Sequence, residues 1–195
     1  MSTMVTGGLG FVGRHLVRLL ADGGERVVSY NRDYAESGDP AVAAVQGELF
    51  DIPRLVRTLQ DHRVERILHT AAMSHPELSI DLPVTTFAAN VTGTLSLFEA
   101  ARLSGGVRRI VNFSSECAYG HQEVELVRED ARVRPRTPYG VTKATTEMLG
   151  DVYDELYGVE VISLRITEVY GPGNPMPEVL RDMVAAAVHG RPFAL

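Results

Sequence analysis

Tyr139 and Lys143 stand four residues apart in "YGVTK", the stretch of this 195-residue chain with the clearest chemical potential. Within a helix that spacing puts both side chains on one face. A phenol with an ordinary pKa of about 10 is a poor base at neutral pH, but a neighbouring ammonium favours the phenolate and lowers that value. Tyr139 would then exchange a proton with a substrate hydroxyl or carbonyl. Lys143 is the only lysine of the chain; the other 18 basic residues are arginine. An ammonium is a compact donor with a tunable pKa, which is a physical reason to keep one lysine in an arginine-rich sequence. The segment "VNFSSECAYG" offers a third group, Ser115, whose hydroxyl can donate to an oxygen that changes charge during reaction. A serine pair at a strand end serves equally well as a turn or helix cap.

A second constellation opens the chain, where "VTGGLGFVGRHL" places Gly7, Gly8, Gly10 and Gly13 within seven positions. Glycine costs conformational entropy on folding, so the bare backbone must serve some purpose. The spacing turns a strand tightly into a helix, with the amides around Gly10, Phe11, Val12 and Gly13 facing a phosphate. Further on, "YNRD" holds Asn31, able to hydrogen-bond a ribose, and Arg32, able to pair with an additional phosphate or to stand as a plain surface charge. Asp33 serves the ribose if the register slips by two, so NAD and NADP are both open as the dinucleotide.

Groups this far apart in the chain need a scaffold that gathers them at one edge. Short β-branched runs alternate with longer amphipathic segments, which predicts an α/β fold with a doubly wound parallel sheet of Rossmann type. Strands are expected at 3–6, 26–30, 43–46, 66–70, 109–114 and 159–164. Helices are expected at 11–22, 52–62, 83–104, 138–157 and 177–189. In such a sheet ligands sit at the carboxyl ends of the strands. The polar segment 120–137 reads as a connection, either solvated or bordering a substrate site. Residues 1–175 are expected to form the dinucleotide-binding domain and 176–195 the beginning of a substrate-binding lobe.

Composition sets outer bounds. With 45% hydrophobic residues the chain can bury a sizeable core. Its net charge of −6, with no basic block, disfavours nucleic acid and anionic membrane as partners. No apolar run approaches the length of a membrane span. The single cysteine, Cys117, excludes an internal disulfide, and "MSTMVTGG" has neither a basic nor an apolar leader region, so a cytoplasmic location is expected. Six histidines without metal-ligand spacing predict no metal site.

Read in order, several motifs together resemble the extended short-chain dehydrogenase/reductases, better described as NAD-dependent epimerases and dehydratases of nucleotide sugars. The marks are "TGGLGFVG" (6–13), "GEL" (47–49), "HTAAMSH" (69–75), "NVTGT" (90–94), "SSECAYG" (114–120), "YGVTK" (139–143) and "LRITEVYGPG" (164–173). The resemblance implies an NAD(P) cofactor held at the glycine turn, with adenine-edge contacts at Glu48 and Leu49. It also implies backbone and small-residue contacts at Thr70, Ala71, Ala72 and Ser74, and a further contact at Asn90. Ser115, Tyr139 and Lys143 fall on the family's catalytic positions. Family equivalents of segments 85–101 and 142–157 pair in a homodimer, and Phe87, Leu95, Phe98, Met148 and Val152 supply apolar side chains for that contact.

Three departures bear on substrate. Glu116 and Cys117 stand where the 4,6-dehydratases carry an Asp–Glu pair, and a thiol is a poor replacement for a carboxyl acid. Glu168 stands where many epimerases have an asparagine that contacts the substrate diphosphate. A carboxylate there repels phosphates, which admits a nucleotide-free sugar, a lactone or another carbonyl compound. After "VYGPGNP" only one more helical segment follows, so most of the small C-terminal lobe is expected to be absent and turnover by these residues alone to be weak. The expected activity is NAD(P)-dependent epimerisation or oxidoreduction, by hydride transfer at a carbinol or carbonyl carbon of a sugar or nucleotide sugar. The alternatives are a simple dehydrogenase or ketoreductase and a non-catalytic dinucleotide-binding module.

Overall fold

A computed structural model describes residues 1–174 and 179–193. Six strands form one parallel sheet: β1 (Ser2–Thr6), β2 (Arg26–Asn31), β3 (Val42–Gln46), β4 (Arg66–His69), β5 (Arg109–Ser115) and β6 (Glu160–Ile166). Their order is β3-β2-β1-β4-β5-β6, so the direction of winding reverses between β1 and β4 and opens a crevice there. The expected strands are all present, with ends displaced by one or two residues.

Alternation along the strands decides the two faces. Met4 and Val28, paired in register, point into a core with Leu55 and Leu59 of α2 (Ile52–Asp61) and Leu97 and Phe98 of a later helix. Val5 and Val27 point the other way, onto Leu16, Val17 and Leu20 of α1 (Phe11–Asp22). Burial on both faces explains why these strands read as nearly continuous apolar runs.

Two helix expectations need correction. The stretch 83–104 is not one helix: α4 (Pro83–Phe87) passes through a π-helical turn (Ala88–Thr92) into α5 (Gly93–Ser104). At that widened turn Asn90 faces inward, and its side-chain amide is engaged on both edges by the distant Met73 and Thr142. A six-residue helix, α3 (Pro76–Asp81), is too short for apolar periodicity to reveal; proline at the first turn starts both it and α4. Helix α6 (Pro138–Tyr157) has the expected ends. The last helix, α7 (Val179–Val188), buries none of its side chains. Its expected start at Pro177 and the expected domain boundary at 175/176 lie outside the described residues.

Phe98 is also corrected: it is 0% exposed in the central core and cannot face a partner, whereas Phe87, Leu95, Met148 and Val152 are exposed. Among the described residues no helix is long and apolar enough to cross a membrane.

Candidate active site and dinucleotide cleft

The crevice at the carboxyl ends of the strands holds two adjoining cavities of about 420 and about 510 Å3, which share Gly7, Gly10, Ala71 and Ala72. The glycine turn forms their common wall. Gly7 has a φ of +69°, and a Cβ there would lie 2.9 Å from the Ala71 backbone. Its amide donates to the Tyr30 carbonyl at 2.9 Å, and Gly10 donates back to the Gly7 carbonyl at 2.8 Å. Gly10 caps α1 without a side-chain bond, and the first turn of that helix carries no acidic residue. Phe11, Val12 and Gly13 line the cleft at this uncapped helix start. Bare backbone, free amides and the positive end of a helix dipole fit a pyrophosphate.

The smaller cavity continues toward β2 and β3. Asn31 and Arg32 line it, together with Glu48 and Leu49. Asn31 also braces the glycine turn: its Oδ1 accepts the Leu9 amide at 2.8 Å and its Nδ2 donates to Ser29 Oγ at 3.0 Å. Arg32 and Asp33 stand exposed at the rim, 3.9 Å apart, so each charge partly offsets the other. Glu48 is held by its backbone, whose carbonyl accepts from the buried Tyr30 hydroxyl at 3.1 Å. Tyr30, Phe50 and Met73 line the same cavity and carried no motif that marked them.

The larger cavity brings the chemistry together. Thr70, Ser74, Ser115, Tyr139 and Lys143 all line it. Helix α6 delivers Tyr139 and Lys143 on one face, and three contacts fix its start. Thr137 Oγ1 accepts the Gly140 amide at 3.0 Å, Tyr139 N–H donates to Ser79 Oγ of α3 at 3.0 Å, and Thr142 Oγ1 donates to the Tyr139 carbonyl at 2.7 Å. Ser115 serves as the expected cap. It caps the short 3-10 turn Glu116–Ala118, accepting the Cys117 amide at 3.2 Å and donating to Glu116 Oε2 at 3.1 Å, and it lines the same cavity as the Tyr139 phenol.

The expected lowering of the Tyr139 pKa is overturned. Burial of the phenol pushes it up to about 12, against a smaller opposing pull from the Ser115 hydroxyl. Lys143 does not offset this, because its Nζ donates to the Phe113 carbonyl at 2.6 Å and lies 5.7 Å from the centre of the Tyr139 ring. Lys143 is itself 7% exposed, and burial brings its pKa down to about 8. Burial likewise pushes the Cys117 thiol up, which makes it a poor nucleophile.

Asn90, expected to touch cofactor, lines neither cavity. It is 2% exposed, and its amide joins Met73 N–H at 2.8 Å, the Met73 carbonyl at 3.1 Å and Thr142 Oγ1 at 3.0 Å. It therefore ties the loop after β4 to α6 from below. His69 completes this buried network: Thr94 gives its hydroxyl proton to the Asn90 carbonyl, so His69 Nε2 donates to Thr94 at 2.8 Å and Nδ1 accepts from Thr6 at 2.7 Å. Burial and the charge of Lys143 hold that imidazole neutral, with a pKa of about 3.

Glu116 and Glu168 also line the larger cavity, so the cleft carries two carboxylates. Arg14 of α1 donates to the Gly173 carbonyl and fastens the loop after β6 to the glycine-turn helix.

Comparison with known proteins identifies relatives of the chain as a whole. The sequence pattern of the NAD dependent epimerase/dehydratase family matches residues 3–195. A UDP-glucose 4-epimerase of Lactobacillus helveticus is 31% identical over 97% of this chain and 61% of its own length. A dTDP-glucose 4,6-dehydratase of Xanthomonas campestris is 30% identical over 97% of this chain and 59% of its own length. The crystal structure of a Thermus thermophilus UDP-glucose 4-epimerase in complex with NAD superposes with a TM-score of 0.87 at 32% identity, covering 100% of this chain and 65% of that one. The chain thus spans about three fifths of the length of such relatives. A Rossmann-type sheet with the glycine turn at its switch point, and a pattern match across nearly all residues, make this chain a member of the NAD-dependent epimerase/dehydratase family.

Proposed function

We propose that the chain binds NAD or NADP along the cleft and oxidises or epimerises a carbinol carbon of a sugar or nucleotide sugar. One observation carries the reading: Ser115, Tyr139 and Lys143 line the same cavity as the uncapped start of α1. When bound, the dinucleotide supplies the hydride acceptor and donor. Gly7, Gly10, Phe11, Val12 and Gly13 hold its pyrophosphate, Asn31, Arg32, Glu48 and Leu49 border its adenosine half, and Thr70, Ala71, Ala72 and Ser74 line the opposite wall. Tyr139 exchanges a proton with the substrate oxygen, and Ser115 donates to that oxygen as its charge grows. Lys143 gives one N–H to the Phe113 carbonyl and has two left for a ligand bound in the cleft.

A second reading concerns the substrate alone. Glu116 and Glu168 in the larger cavity favour a neutral or cationic compound over one presenting phosphates there, hence a nucleotide-free sugar or lactone. The same overall reading places the protein in the cytoplasm. It also pairs two copies through the exposed faces around Phe87, Leu95, Met148 and Val152.

Calorimetry with NAD and NADP, followed by cofactor absorbance during a screen of nucleotide sugars, free sugars and lactones, tests the reading. Product without net reduced cofactor marks an epimerase, and net reduction marks a dehydrogenase. Tyr139→Phe should bind cofactor normally and lose about 100-fold or more in turnover. Unchanged turnover in that variant would sink the assignment.

A further inference from the structure

Behind the Tyr139–Lys143 pair lies a charged cluster that the chemistry above does not use. One turn further along α6, Glu147 continues the same spacing and its side chain is only 11% exposed. It accepts from the Ser114 hydroxyl and from the Arg165 guanidinium, whose Nε lies 3.0 Å from both carboxylate oxygens and whose Nη2 lies 2.7 Å from Oε2. Arg165, on β6, also sits 4.4 Å over the Tyr119 ring and donates to the Glu129 carbonyl at 3.1 Å. A carboxylate held by a guanidinium fork and a hydroxyl is a fixed negative charge in a poorly solvated place.

Lys143 is the neighbour that such a charge can serve. The groups around the ammonium are the Tyr139 phenol and Glu147 from α6, the neutral His69 imidazole from β4 and the Phe113 carbonyl from β5. Glu116 and Cys117, on the turn after β5, and Glu168, after β6, line the cleft beyond the phenol. Glu147, one helical turn beyond Lys143 on the same face of α6 and largely buried, is placed to oppose the desolvation that disfavours the charged amine.

We propose that Glu147 is the counter-charge that keeps Lys143 protonated in the site, and that Arg165 sets how much of this charge Lys143 feels. Arg165 simultaneously clamps Tyr119 and the Glu129 segment to the same helix. Glu147 and Arg165 are therefore positioning residues that act through Lys143, and the functional part of this inference rests on Tyr139 and Lys143 being the reacting pair.

Because Lys143 is the only lysine, a protein grown with lysine labelled with 13C at Cε has one lysine signal, whose pH titration reports this amine directly. The wild-type midpoint is expected near about 8. Removing the negative charge in Glu147→Gln should lower the midpoint by about one unit, whereas removing the competing cation in Arg165→Gln should raise it. A merely structural role moves neither in this paired, opposite manner. Equal midpoints in all three proteins, or displacement of both variants in one direction, overturn the proposal. Circular dichroism across the titration checks folding; if Glu147→Gln does not fold, a rise in Arg165→Gln supports the proposal and a constant midpoint overturns it. The signal is independent of turnover, so wild-type protein without hydride transfer would defeat the functional reading and leave this result standing.

Discussion

Gly13→Ala tests the glycine turn as a pyrophosphate cradle, and its effect follows from distances. A Cβ at residue 13 would lie 2.1 Å from the Gly7 carbonyl oxygen and 2.8 Å from both Gly7 C and Gly8 Cα. All three are backbone atoms, so no side chain can rotate away, and α1 must retreat by about 0.9 Å to restore even a 3.0 Å contact. The Gly7 oxygen also accepts the Gly10 amide at 2.8 Å, so the retreat disturbs the turn that starts the helix. Overpacking of this kind costs about 1–3 kcal/mol. For a chain of this size that lowers the melting temperature by roughly 2–12 °C. The helix amides withdraw from the phosphate position by the same distance, and losing one hydrogen bond to a charged phosphate, about 1.5–3 kcal/mol, corresponds to about 10- to 100-fold in affinity. Calorimetry should therefore show NAD or NADP binding weakened by about that factor in protein that remains folded. Gly24→Ala is the control: its φ of +80° makes the substitution cost about 1–2 kcal/mol, but no atom lies within 4 Å of the new Cβ and cofactor affinity should not change. Folded Gly13→Ala with a Kd within about two-fold of wild type would refute the cradle.

Lys143→Met should raise stability by about 1–3 kcal/mol near neutral pH while removing turnover, because a buried amine costs desolvation that an apolar chain of similar shape does not. The depressed pKa of about 8 fixes the sign: in the wild type, stability declines as pH falls from the unfolded value of 10.5 toward 8, and urea unfolding of the variant should lack that slope. His69, neutral in the fold with a pKa of about 3 against 6.5, contributes stability above pH 6.5 that is lost as pH falls toward 3. Its His69→Gln variant should show a shallower acid slope, by up to about 1.4 kcal/mol per pH unit, in denaturant melts between pH 6 and 4.5. For the proposed dimer, light scattering should find two copies in the wild type and a monomer after Met148→Glu or Val152→Glu; a wild-type monomer at high micromolar concentration counts against pairing.

Local chemistry made much of this protein legible in its sequence. The glycine turn, the Tyr139–Lys143 spacing and the alternation of strands with amphipathic segments each depend on residues within a few positions of one another, so they survive in one dimension. They were sufficient for the parallel sheet and for the cleft at its carboxyl edge; Glu48, Leu49 and the 70–74 contacts came from the family resemblance, and lining residues such as Tyr30, Phe50 and Met73 carried no local signal. The same helical step that links Tyr139 to Lys143 reaches Glu147 and would have marked it. Tertiary structure alone decided the rest. Phe98 and Leu95 share one helix, yet only packing against the sheet determines that the first is buried and the second exposed. Asn90 faces inward because Met73 and Thr142, 17 and 52 residues away, supply partners for its amide. The pKa of Tyr139 rises rather than falls because desolvation is set by everything packed around the phenol, whereas helical spacing reports only the neighbour four residues on. Charge state, burial and hydrogen-bond direction are properties of an environment assembled from distant parts of the chain, and that environment exists only once the chain has folded.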